Sequence, residues 1–215
     1  MGGGEPLNPI ALLNPPARYF PPESLMLACV STDADLAAIL KALDTLDIRP
    51  QAALLFRLLM LTGARTSEWR TAEWSWIDAD GRTLRLPDAT AGARPVVLST
   101  AVRALLAGEP RSSRYVIPND AGDGPLPPSI ASNAWETVRA ASGIGDLRVH
   151  DLRHGFATRG AGLGASAIVL RDALGHKTLA MTSRYVARQA DPVRDLAERI
   201  GAQIEAVWTG RSYKS

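Results

Sequence analysis

Three short stretches carry the side chains that could do chemistry: LTGARTSEWR over 61–70, VHDLRHGFATRG over 149–160 and LGHKTLAMTSRYV over 174–186. In the first, an apolar helix-forming run stops at Gly63 and Arg65 follows. In the second, His150, Arg153 and His154 stand at i, i+3 and i+4, so a helix would project all three from adjoining parts of one face. His176 comes 23 residues after Arg153, and Tyr185 nine residues after His176. All three histidines of the chain lie between 150 and 176. A guanidinium beside imidazoles suits an anion, because the fork grips two oxygens while a ring nitrogen donates to, or moves a proton for, a third.

Two arginines clamping a phosphodiester would offset the extra charge of its transition state. A tyrosine phenol near pKa 10 is a poor nucleophile unless a base or a positive field assists it. Given that assistance, Tyr185 could attack phosphorus and hold the phosphoryl group, while the leaving sugar oxygen takes a proton from a nearby acid. The arginines would then do the electrostatic work, and no metal or other cofactor is expected.

Each residue also has a plainer reading. Arg65 could make a helix-end ion pair with Glu68, and His150 with Arg153 could be a satisfied helix pair. His176 could cap a helix C-terminus, and Tyr185 could be a core aromatic. His154 reads as structural. The tryptophans, including Trp69, Trp74 and Trp76, read as core rather than as base-stacking platforms.

In this order and spacing, TGAR-x-x-E, H-x-x-R, LGH and the following tyrosine resemble the catalytic domain of tyrosine recombinases, the phage integrase family. The resemblance covers about 32–207, and the combined pattern is far more specific than any of its pieces. It implies that Arg65 and Arg153 grip the scissile phosphate of double-stranded DNA, that His150 and His176 are the active-site histidines, and that Tyr185 is the nucleophile. Glu68 matches the acidic residue that orients the turn after the first arginine. The implied intermediate is a 3′-phosphotyrosyl DNA with a free 5′-hydroxyl, which conserves bond energy without ATP or metal.

The sequence departs from that family at three points. A lysine of the early hairpin, which protonates the leaving oxygen, has no counterpart, since no lysine lies between Lys41 and Lys177. Thr90 occupies the matching position. Arg94 or Arg85 could reach the same oxygen, but an arginine is a poor proton donor, which leaves His150 or water as the acid. Gly155 stands where Thr or Ser is usual. The DNA-clamping domain that normally precedes the catalytic one is expected to be absent. Two rivals therefore stand beside a recombinase: a DNA-binding protein that keeps the fold without turnover, and a topoisomerase-like enzyme of the same chemistry.

The elements that must position these residues follow from pattern. Residues 1–30, rich in Pro and Gly, read as a linker or arm, 31–210 as the catalytic domain, and 211–215 as a tail. Thr32 and Asp35 form a capping-box pattern before DADLAAILKAL. The run QAALLFRLLML after Pro50 is apolar almost all round, as a central buried helix would be. EWSWID and RTLRL about Asp80-Gly81 read as two strands of a hairpin, with RPVVLS as a third. Helices are expected from 100, then near 127–141, 150–161, 165–174, 178–186 and 191–207. The last either packs on its own domain or docks onto another protomer. The expected fold is mainly α with a small antiparallel β-sheet.

Composition sets outer bounds. The net charge of +2 is mild for a nucleic-acid binder, although only Lys41, Lys177 and Lys214 of the 24 basic residues are lysines. Arginine suits bidentate grips on phosphate, but an arginine-preferring genome explains the bias equally well. A single cysteine, Cys29, excludes an intrachain disulfide framework. With no membrane span and no signal peptide legible, a cytoplasmic location is expected.

Overall fold

The computed structural model describes residues 32–87, 95–176, 178 and 181–182. It is mostly helical, with helices α1 (Asp33–Thr45), α2 (Pro50–Thr62), α3 (Thr66–Arg70), α4 (Thr100–Ala107), α5 (Pro128–Ser142), α6 (Val149–Gly162) and α7 (Ala167–Leu174). A two-stranded antiparallel sheet, β1 (Thr83–Arg85) and β2 (Pro95–Val97), lies between α3 and α4 in sequence.

The capping box at the start of α1 forms as expected: the Asp35 N–H donates to Thr32 Oγ1 at 3.0 Å, and Asp35 Oδ2 accepts from the Thr32 N–H at 3.0 Å. Helix α2 begins at Pro50, whose missing N–H costs nothing in a first turn, and buries residues around most of its circumference. It packs against α3, α4, α5 and α6, so it is the axle of the domain. Phe56 meets the Trp135 ring edge-on at 5.1 Å, tying α2 to α5. Trp69 is fully buried, and its indole N–H donates to Thr62 Oγ1 at 2.9 Å, which fastens α3 to the end of α2. Trp135 is buried too, while Trp74 and Trp76 pack against the core, so among the described residues the core reading of the tryptophans holds.

The expectation for 73–78 fails. Instead of a strand, Trp74–Trp76 form one turn of 3-10 helix. Trp76 and Ile77 donate back to the carbonyls of Glu73 and Trp74, at 3.0 and 3.1 Å, so the chain curls before it can run beside β1. A single bridge, Ile77↔Leu84, remains where a ladder was expected, while Glu73 bridges Tyr115 instead. The Asp80-Gly81 turn does form, and Asp78 Oδ1 holds it by accepting from the N–H groups of Arg82 and Thr83 at 2.8 and 3.1 Å. Burial opposes ionisation of Asp78, but those hydrogen bonds and the charge of Arg85 outweigh it and lower its pKa. In the sheet, Leu84 opposite Val96 faces the core, while Arg85 opposite Pro95 is exposed.

A smaller apolar cluster of Ala157, Ala161, Leu170 and Leu174 joins α6 to α7. Gly160 permits the close approach, since a Cβ there would lie 2.7 Å from Leu170 Cδ2. The expected arm 1–30, most of the expected helix 178–186 and the expected helix 191–207 lie outside the described residues. Among the described residues, no helix is long and apolar enough to cross a membrane.

Candidate active site

Helix α2 ends because Gly63 adopts φ +61°, a left-handed conformation that glycine takes without penalty. A Cβ at Gly63 would also sit 2.5 Å from the Phe156 ring of α6, so glycine is required twice over. The turn aims the Gly63 carbonyl at α6, where Arg153 Nη1 donates to it at 2.6 Å. Arg153 Nη2 donates to the carbonyl of Leu174, the last residue of α7. Arg153 is only 4% exposed. A buried guanidinium needs such acceptors, and helix C-termini supply them with a partial negative charge.

Two residues beyond Gly63, Arg65 is the N-cap of the short helix α3. Glu68, 9% exposed, receives the Arg65 backbone N–H at 2.7 Å on Oε2 and its Nη1 at 2.8 Å on Oε1. Glu68 therefore orients the arginine at both ends, and the plain ion-pair reading of Arg65 describes a real contact. Arg65 Nη2 reaches on to the Gly175 carbonyl at 3.3 Å. Both arginines thus converge on the end of α7, one from α3 and one from α6.

That end is itself held by its backbone. Gly175 has φ +64°, and the N–H of His176 donates to the Arg171 carbonyl at 3.0 Å, a Schellman-type close. The capping role considered for His176 is therefore filled by its backbone N–H. Its ring goes elsewhere: Nδ1 lies 2.8 Å from Oγ1 of Thr182, a fully buried residue.

His150 opens α6, whose start is fixed by Asp151 Oδ2 accepting the Arg148 N–H at 2.8 Å. The His150 and His154 rings meet edge-on at 5.0 Å. His150 keeps one side open to solvent, yet the protein packed beneath it disfavours the imidazolium and lowers its pKa from 6.5. Arg153 acts in the same direction, with smaller effects from Arg148 and Arg65, against an opposing pull from Asp151.

Of the residues singled out from sequence, Arg65, Glu68, Arg153 and His176 are linked by contacts at the end of α7, and His150 lies within the field of both arginines. Tyr185, Thr90 and Arg94 lie outside the described residues. Gly155 is buried on the inner side of α6. Among the described residues, no group of three or more His, Cys, Asp or Glu side chains gathers that could hold a metal ion. The sequence reading missed the acceptors at Gly63, Leu174 and Gly175; the only signal for them was a glycine closing each apolar helix. It also missed Thr182, which nothing in local spacing marks.

The model of the phage integrase family matches residues 30–191. The chain belongs to the phage integrase family. Among curated family relatives, it is 32% identical to a tyrosine recombinase XerC of Rhodospirillum centenum over 88% of this chain and 57% of that protein. It is 29% identical to a tyrosine recombinase XerA of Saccharolobus solfataricus over 72% of this chain and 55% of that protein. The chain thus spans little more than half the length of these relatives. Among solved structures, the catalytic domain of bacteriophage HP1 integrase superposes with a TM-score of 0.61 at 24% identity, covering 79% of this chain and 94% of that one. A XerH site-specific recombinase bound to palindromic difH substrate, a post-cleavage complex, superposes at 0.65 and 19% identity, over 85% of this chain and 54% of that one. At these identities the likeness establishes the integrase catalytic fold.

Proposed function

We propose that this chain is the catalytic part of a site-specific DNA recombinase that cuts and rejoins strands through Tyr185. The observation that carries the reading is the meeting of Arg65, Arg153 and His176 at the end of α7, with His150 inside the same positive field. Arg65 and Arg153 grip the non-bridging oxygens of the scissile phosphate, and Glu68 orients Arg65. Tyr185 Oη attacks phosphorus, the bond to the 5′ oxygen breaks, and the phosphoryl group stays on tyrosine with the 3′ end. The 5′-hydroxyl of a partner strand then attacks that phosphorus and releases the tyrosine.

His150, with its lowered pKa, is neutral near pH 7 and so suited to accept the tyrosine proton rather than to protonate the leaving oxygen. With Thr90 in the lysine position, that second proton comes from water. Strand exchange requires further protomers on DNA, and 191–207 is the segment the sequence offers for their contact.

The missing lysine favours a second reading, a DNA-binding protein that keeps the fold without turnover. Incubating the protein with nicked duplex DNA from its own genomic neighbourhood, without metal or ATP, then denaturing, separates the two. A recombinase leaves a covalent adduct that Tyr185→Phe abolishes, and Thr90→Lys accelerates it. A binder leaves no adduct, while its salt-sensitive affinity is the same for Tyr185→Phe.

A further inference from the structure

The contact between His176 Nδ1 and Thr182 Oγ1 is 2.8 Å long, within the range of a good hydrogen bond, and Thr182 is fully buried. No water competes for a hydroxyl at that depth, so the bond holds the ring more firmly than an exposed one would. The His176 backbone is anchored independently by its N–H to the Arg171 carbonyl. With the backbone and one ring nitrogen both fixed, Nε2 is directed away from the buried hydroxyl.

Distance alone allows either direction of donation, and the two have opposite consequences. If Nδ1–H donated to the threonine, a neutral ring would present a lone pair on Nε2, which repels an anion. If the threonine O–H donates to Nδ1, the neutral ring carries its proton on Nε2 and presents a donor. The segment carrying His176 also receives Arg65 on Gly175 and Arg153 on Leu174, so donors are what this end of α7 assembles.

We propose that Thr182 is a positioning residue for His176: its hydroxyl donates to Nδ1 and fixes the tautomer protonated on Nε2. His176 then adds a hydrogen bond to a bound phosphate without having to become charged. The choice between the two tautomers rests on the reading of this site as one that holds a phosphate, but the tautomer present is measured in the free protein without DNA.

The test is nitrogen-15 NMR of the full chain labelled at histidine, at a pH where the rings are neutral. His150→Gln and His154→Gln identify the His176 signals. The wild type is expected to show a protonated Nε2 and an unprotonated Nδ1. Thr182→Val, which keeps the shape but removes the hydroxyl, is expected to show the averaged shifts of interconverting tautomers, and Thr182→Ser to restore the fixed pattern. In the adduct assay, Thr182→Val would slow formation by roughly tenfold or more, with rescue by serine. Averaged or Nδ1-protonated shifts in the wild type, or an unchanged pattern in Thr182→Val, would overturn the proposal. If Thr182→Val does not fold, the wild-type spectrum decides. An absent adduct in the wild type counts against strand cleavage and leaves the tautomer result standing.

Discussion

Arg153 and Arg65 reach the same end of α7 from different depths. Around Arg153, at 4% exposure, the protein supplies backbone carbonyls from two helix ends, Gly63 and Leu174. Around Arg65, whose side chain is 35% exposed, it supplies a carboxylate, with the Gly175 carbonyl added at longer range. The first arginine is part of the architecture, because α2, α6 and α7 all meet on its guanidinium. The second is presented by the architecture, on a short helix that keeps it partly open. One fold thus holds two like charges near each other by anchoring one among helix ends, from which it reaches the site, and leaving the other more open to solvent.

The largest effect expected from breaking this contrast is at Arg153. Arg153→Ala strands the Gly63 and Leu174 carbonyls in the interior, and a loss of roughly 3–5 kcal/mol is expected. Urea unfolding of the variant should show a much lower midpoint, together with loss of adduct formation. Arg65→Ala is expected to separate the two properties. Its stability cost should stay below that of Arg153→Ala, at roughly 1–2 kcal/mol, because the buried Glu68 loses its cation but keeps the backbone N–H of residue 65, while adduct formation falls by roughly a hundredfold or more. An Arg65→Ala as destabilised as Arg153→Ala would show that the two arginines do not differ in structural role.

How far this contrast could be read from sequence depends on what kind of atom is involved. Helical spacing pointed to His150, Arg153 and His154, and the order of motifs along the chain pointed to Arg65 and His176, because side chains leave a signature in the letters. Two partners of Arg153 are backbone carbonyls, which every residue has, so only Gly63 and Gly175 hinted at them. The capping box at Thr32 and the buried helix α2 were legible for the same local reason: cap chemistry and periodicity act within a few residues. The 73–78 segment was not. Its Trp-Ser-Trp alternation matches a strand, but the Trp74 N–H bonds the distant Arg114 carbonyl and the chain then turns on its own 3-10 bonds. A tertiary partner thus decided between two locally acceptable conformations. Thr182 escaped notice similarly, since its link to His176 bridges six residues without a repeating period.

The smallest effect expected concerns His150, whose imidazolium both arginines disfavour. Its folded pKa lies below the ordinary 6.5, so the unfolded chain binds its proton first as pH falls. The stability this group contributes is therefore full above about pH 6.5 and is lost as pH falls toward the folded value. A small drop in Tm between pH 7.5 and 5.5 is expected, and His150→Gln should reduce it. A drop identical in His150→Gln would assign the effect to other groups.

If the arginines converging on the end of α7 hold a phosphate for Tyr185, the covalent bond can be mapped. Adduct formed on nicked duplex is digested with trypsin and a nuclease, and the peptides are analysed by mass spectrometry. The expected product is a nucleotide attached through its 3′ phosphate to Tyr185, in a peptide that begins just after Arg184, with a free 5′-hydroxyl on the released strand. Attachment at another residue, a 5′-phosphate linkage, or DNA that is bound but never covalently joined would contradict it.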